Sequence, residues 1–247
     1  MTMPQMTRKL LNLAQDNRGK GSGLRAEATG TDTTTLYVYD VIDAFWGVSA
    51  ADFARELAAI TTPKVRLRIN SPGGDVFEAR AMMTAIREHP AEFTASIDAL
   101  AASAAAVLTL GCDSTEIAEG GFYMIHRAWT FAMGNAADLT ATATLLSKID
   151  DVMTDDFVAK SGRSAEEIKA WLEAETWFNA AEAIDAGFVD RMTIVPDKAA
   201  AKAQANVFNL SAFANVPKAL TERPREMDTS ARDRAVARLA LYDRMAA

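Results

Sequence analysis

Apolar and polar positions along this chain switch repeatedly between a period of two and a period near 3.6. Leu36-Tyr37-Val38-Tyr39 is a β-rich run, and Val65, Leu67 and Ile69 alternate with Arg66 and Arg68, as in a strand with one buried face. Between them, Ser49-Ala-Ala-Asp52 has the form of a capping box and predicts a helix through Ile60. After the turn Asn70-Ser-Pro-Gly-Gly-Asp75, the spacing of Val76, Ala79, Met83 and Ile86 predicts a second helix, stopped by Pro90. Phe93 to Ile97 reads as a strand, and Leu100 to Leu110 as a buried, Ala-rich helix closed by Gly111. Thr115 to Ala118 and Phe122 to Ile125 are short strands, and Asp138 to Lys160 is a long helix. Ser164-Ala-Glu-Glu167 and Asn179-Ala-Ala-Glu182 cap two further helices, the second ended by Gly187, and Phe188-Val189 reads as a last strand. Strands alternating with helices over this length predict an α/β layered domain with a largely parallel sheet.

That pattern divides the chain into an N-terminal arm over 1–35, a domain over 36–195 and a C-terminal appendage over 196–247. The appendage is broken by Pro196, Pro217 and Pro224 and has one possible short helix at Arg232 to Arg244. With 247 residues and 49% apolar composition, the chain has material for a sizeable core. The formal net charge of −7 is spread unevenly, because each tail carries +3 and the middle, 31–195, carries −13. A chain without basic excess is not expected to bind nucleic acid. One cysteine, Cys112, and two histidines cannot make an intramolecular disulfide or a four-ligand structural zinc site. No signal-peptide or membrane-spanning stretch is evident, so the expectation is a cytoplasmic protein without metal or cofactor.

Candidate chemistry is confined to few residues. His89 precedes Pro90 at a helix end and reads as a structural, solvated group, whereas the strand Phe122 to Ile125 delivers His126 to the edge of the core. Gly73-Gly74 lies between a strand and a helix, where uncovered backbone N–H groups suit an oxyanion, although a tight turn explains the pair equally well. Neither a Lys-Ser/Thr pair nor a G-x-G-x-x-G pattern accompanies it, which disfavours nucleotide phosphate. Ser103 stands among alanines, where a substrate backbone can approach, or where a small residue merely packs against the sheet.

The combination is more specific than its parts. Asn70-Ser-Pro-Gly-Gly-Asp75, then Ala-Ala-Ser103-Ala, then Met124-Ile-His126, then Glu175-Thr-Trp-Phe before Ala-Glu-Ala-Ile-Asp-Ala-Gly-Phe-Val-Asp190 resembles the Clp protease proteolytic subunit (ClpP) family from about Leu36 to Met192. Phe45-Trp46-Gly47-Val48, Leu100-Ala-Ala-Ser-Ala and Glu175-Thr176-Trp177 resemble in particular the ClpP-related head maturation proteases of tailed bacteriophages. The resemblance implies a ClpP/crotonase-like fold and a serine endopeptidase whose substrate is capsid protein, scaffold protein or the chain itself. In it Ser103 is the nucleophile, His126 the general base, and Gly73 or Gly74 with Ala104 the oxyanion donors. It also implies a homo-oligomeric ring, with no ATPase partner expected because the arm lacks resemblance to the loops that meet an unfoldase.

Two positions depart from the family pattern. Glu175 stands where ClpP has the aspartate of its triad, and Asp150 and Asp151 are weaker candidates for that role. Ala104 replaces a bulkier Met without altering the backbone donor. The rival readings are a general protein-degrading peptidase, a crotonase-type acyl-CoA enzyme, a Ser-Lys dyad using Lys148, and a scaffold protein without turnover.

Overall fold

The computed structural model describes residues 13–193 and 208–221. Eight strands form one sheet: β1 (Gly23–Ala28), β2 (Thr33–Tyr39), β3 (Lys64–Ser71), β4 (Glu92–Ala102), β5 (Ser114–Ala118), β6 (Phe122–Ile125), β7 (Thr176–Asn179) and β8 (Arg191–Thr193). Their order is β1-β2-β3-β4-β5-β8, with β6 pairing the far end of β4 and then β7. The pairs β2-β3, β3-β4, β4-β5, β4-β6 and β5-β8 are parallel, whereas β1-β2 and β6-β7 are antiparallel. The described helices are α1 (Ala50–Ala58), α2 (Val76–Glu88), α3 (Ala104–Thr109), α4 (Ala136–Ser161), α5 (Ala165–Glu173), α6 (Ala180–Asp185) and α7 (Lys218–Thr221). The expected mixed α/β architecture is therefore present.

The period-two reading sorts the two faces of the sheet. Val65, Leu67 and Ile69 of β3 are buried beside Leu36 and Val38 of β2 and Phe93, Ala95 and Ile97 of β4. The opposite face carries Arg68 on Asp98 at 2.6 Å. It also carries Glu116, which accepts from Arg66 at 3.0 Å, from Arg191 at 2.7 Å and from Ser96. Two cations and a hydroxyl satisfy a carboxylate that is almost fully buried, which is the condition for placing it there. Helix starts follow the capping residues: Ser49 accepts from Asp52 N, Asp75 from Phe77 N and Glu78 N, and Ser164-Glu167 and Asn179-Glu182 are reciprocal capping boxes.

The structure differs from the sequence reading at several points, one being β7, a strand which that reading did not include. The run from Leu100 does not begin a helix. Leu100, Ala101 and Ala102 instead extend β4, paired with Phe122, Tyr123 and Met124, and helix geometry starts only after Ser103. Alanine favours helix, but that preference is a fraction of a kcal/mol per residue and gives way to the ladder offered by β6 on this side. The segment expected to be an arm contributes the edge strand β1, with Leu13 and Asn17 buried further upstream. The last strand is β8 at Arg191–Thr193, and Phe188 and Val189 are core residues in the turn before it. Residues 208–215 belong to the same compact unit as the sheet, with Phe208, Leu210, Ala212 and Phe213 buried. The possible helix at Arg232 to Arg244 lies outside the described residues.

Candidate active site

Three chain reversals bring the candidate residues together. The β3–α2 turn supplies Gly73 and Gly74, the β4–α3 junction supplies Ser103, and the end of β6 supplies His126. Because β4 and β6 are parallel neighbours, with Ala102 opposite Met124 and Ser103 N donating to Met124 O at 2.9 Å, the two side chains that follow emerge side by side. Ser103 Oγ lies 2.8 Å from His126 Nε2.

Ser103 has φ 57° and ψ −121°, a backbone conformation disfavoured for any residue with a Cβ. Only Ser103 and Glu175 among the described non-glycine residues have positive φ. The strain is over-determined by the surroundings: β4 holds the residue from one side, and α3, buried along its whole length, holds it from the other. The Ser103 side chain does not cap α3, which leaves its hydroxyl to the imidazole. Gly73 packs so closely beneath this turn that a Cβ there would meet Ala102 O at 2.5 Å and Ser103 Cβ at 2.8 Å.

Gly73 N–H donates to Ser71 Oγ at 3.2 Å. Among the described residues, the N–H groups of Gly74 and Ala104 have no acceptor, Ala104 being the first residue of a helix whose opening donors have no intrahelical partner. Gly74, Ser103, Ala104 and His126 line one cleft of about 290 Å³ whose remaining wall is largely apolar, with Val107, Ile125 and Met153. The arrangement offers a hydroxyl, a base in contact with it and unpaired backbone donors in one cleft with a largely apolar wall.

The acids are placed differently. Glu175, in the left-handed region at φ 49°, turns its carboxylate to the backbone N–H groups of Ala214, at 2.8 and 3.0 Å, and Asn215, at 2.6 Å, and to Trp177 Nε1 at 3.3 Å. Asp150 accepts from Arg127 Nε at 2.9 Å and Ala128 N at 2.7 Å, and Asp151 pairs with Lys169. Among the described residues, the one hydrogen bond to the His126 ring is that of Ser103. The expected contact between Glu175 and His126 is thus not made in this conformation, although Glu175 and Asp150 both act on the imidazole charge. His89 is occupied structurally, through Ile60 O, Ala91 N and a perpendicular ring contact with Phe93. No group of three His, Cys, Asp or Glu side chains able to hold a metal ion occurs among the described residues.

Burial pushes the His126 imidazole down to about 4, with the Glu175 and Asp150 charges pulling the other way. A folded value below the unfolded one means that the unfolded chain takes up the proton first. The stability held by neutral His126 is complete above the ordinary imidazole value of 6.5 and is lost as pH falls from there towards about 4. Urea unfolding between pH 7 and pH 4.5 is therefore expected to show a midpoint that falls more steeply for the native chain than for His126→Gln. Parallel curves would contradict the burial argument.

Residues 49–195 match the Clp protease family. The chain belongs to that family. It is 28% identical over 174 residues to the ATP-dependent Clp protease proteolytic subunit 3 of Rhodococcus jostii, covering 68% of this chain and 85% of that protein. It is 27% identical over 177 residues to proteolytic subunit 1 of Protochlamydia amoebophila, covering 68% and 84% respectively. Its fold is similar to that of a ClpP1 mutant from Listeria monocytogenes, with a TM-score of 0.56 and 20% identity over 67% of this chain and 93% of that one. A ClpP-like serine peptidase family accounts for a serine and a histidine in contact at the head of a parallel sheet. Sequence reasoning missed Phe213, whose ring packs nearly perpendicular to the His126 ring at a centroid distance of 5.5 Å. The alternation of Phe208, Leu210 and Ala212 was the available signal.

Proposed function

We propose that this Clp protease family member is a serine endopeptidase that processes capsid or scaffold protein during assembly of a phage head. The observation that carries the peptidase chemistry is the 2.8 Å contact between Ser103 Oγ and His126 Nε2 beside unpaired backbone donors. In this reading Ser103 Oγ attacks the scissile carbonyl while His126 Nε2 takes its proton and then delivers it to the leaving amine. The tetrahedral oxyanion is held by the N–H groups of Ala104 and Gly74. Gly74 is the better placed glycine, since the N–H of Gly73 is engaged by Ser71. Water then repeats the attack on the acyl-enzyme with His126 again as base.

Glu175 is the third member in this reading, acting on the imidazole through its charge and, once free of its backbone donors, through a hydrogen bond. Glu175→Gln is therefore expected to lower kcat by roughly 10² or more with little change in KM, since the carboxylate orients and charge-balances His126. Steady-state kinetics check this, and wild-type kcat in Glu175→Gln with a loss in Asp150→Asn would transfer the role to Asp150.

The head-processing role rests on the Phe45-Trp46-Gly47-Val48 and Glu175-Thr176-Trp177 elements. A second reading, general protein degradation, is favoured by the names of the relatives, which are proteolytic subunits of ATP-dependent proteases. Assembly into a homo-oligomer fits Leu145 and Val152, seven residues apart on α4, and Met133 before it, all exposed apolar side chains. Purified chain and its Ser103→Ala form are to be incubated with unstructured casein and with the phage shell or scaffold protein, without any ATPase, and the products mapped by mass. Discrete cuts in shell or scaffold protein that vanish in Ser103→Ala support head processing. Cleavage only after an ATPase is added supports the degradative reading.

A further inference from the structure

The C-terminal segment 208–215 returns to the candidate active site and occupies the groups that the reaction needs. Its far end is clamped to the N-terminal segment. Asn17 Nδ2 donates to Asn209 O at 2.9 Å, Asn209 N donates to Asn17 Oδ1 at 2.5 Å, and Asn209 Nδ2 donates to Asp16 at 2.8 Å. Asn17 is fully buried, so the clamp is an interior polar pair and not a surface encounter. Leu13 and Ala14, just upstream, line the cleft itself.

At the other end, Phe213 is buried with its ring nearly perpendicular to those of both His126 and Trp177, at centroid distances of 5.5 and 5.7 Å. The next two residues donate their backbone N–H groups to the Glu175 carboxylate. A carboxylate that accepts three protein donors has little capacity left for an imidazole. Asp150, the other acid acting on His126, is held by Arg127 and Ala128. The imidazole is consequently in contact with its nucleophile and has no acid bonded behind it.

We infer that residues 208–215 form an autoinhibitory strap, which holds Glu175 away from His126 and covers the imidazole until the strap withdraws. This rests on the peptidase reading of Ser103, His126 and Glu175. Withdrawal exposes the His126 ring and frees Glu175, which can then accept from its second nitrogen and fix the tautomer whose Nε2 takes the Ser103 proton. In such a device, activity scales with the fraction of molecules whose strap is open. The strap is part of this chain, and its two ends are held by the chain's own N-terminal segment and by Glu175, so inhibition is intramolecular and independent of protein concentration.

Two full-chain variants loosen the strap at opposite ends. Ala214→Pro removes one of the donors to Glu175, and Asn17→Ala removes both bonds of the reciprocal pair without touching the candidate catalytic groups. The rate of Ser103 modification by a fluorophosphonate, followed by intact mass, reads nucleophile competence directly, and circular dichroism reports folding. Both variants are expected to react about tenfold faster than the native chain. Equal or slower modification in folded variants of a chain that is itself modified at Ser103 overturns the strap and shows the segment to be part of the active domain. If one variant fails to fold, the other decides alone. No modification of Ser103 in any form overturns the peptidase reading instead.

Discussion

Ser103→Ala is expected to reduce peptide-bond cleavage by roughly 10⁴ to 10⁶, to the level that binding and the backbone donors alone provide. The hydroxyl makes one hydrogen bond, to His126 Nε2, and takes no part in capping α3, so its removal leaves the local fold without a lost support. His126→Ala is expected to cost about the same, because an unactivated serine hydroxyl at neutral pH is a poor nucleophile. The double variant should be no worse than either single one, since members of a catalytic unit fail together. Kinetics on a peptide substrate, with circular dichroism as control, check all three. Substantial turnover by His126→Ala at pH 7 would assign the base elsewhere, Lys148 being the residue to try next.

Gly73→Ala should be nearly as damaging although the residue carries no functional side chain. Its φ of 87° is strained for alanine, and the added Cβ would lie 2.5 Å from Ala102 O, 2.8 Å from Ser103 Cβ and 2.9 Å from Ala104 N. Those neighbours are backbone or the nucleophile's own first carbon, so relief comes only by moving the nucleophile turn. A displacement on the order of 1 Å costs about 10² in rate, and misplacing an oxyanion donor about 10² to 10³. A combined loss of roughly 10³ or more in kcat/KM is expected. Gly120→Ala is the control, because a Cβ there meets nothing within 4 Å. Gly73→Ala with native kcat/KM would mean that this turn does not set the position of Ser103.

Much of this site is legible in the sequence because its parts are local. The Arg66/Arg68 alternation marks β3, Asp75 caps α2, and the apolar run Phe122 to Ile125 ends at His126, so each reversal announces itself within a few residues. The strain at Ser103 does not, because an alanine run favours helix and only pairing with β6 overrides that preference and sets where strand becomes helix. β1 is hidden for a related reason: every one of its residues is half-buried or exposed, and an edge strand of that kind shows no alternation. The strap is the hardest to read. Its apolar residues are spaced like a strand, yet they pack as an irregular segment, and its hold on the site comes from two backbone N–H groups that no side-chain pattern records.

The most direct test of the central claim is the site of covalent capture by a fluorophosphonate, mapped by peptide mass in the native chain and in His126→Ala at neutral pH. A single phosphonyl adduct on Ser103 in the native chain, lost or greatly slowed in His126→Ala, is the predicted result. An adduct on another serine, or equal labelling of Ser103 without His126, would contradict it.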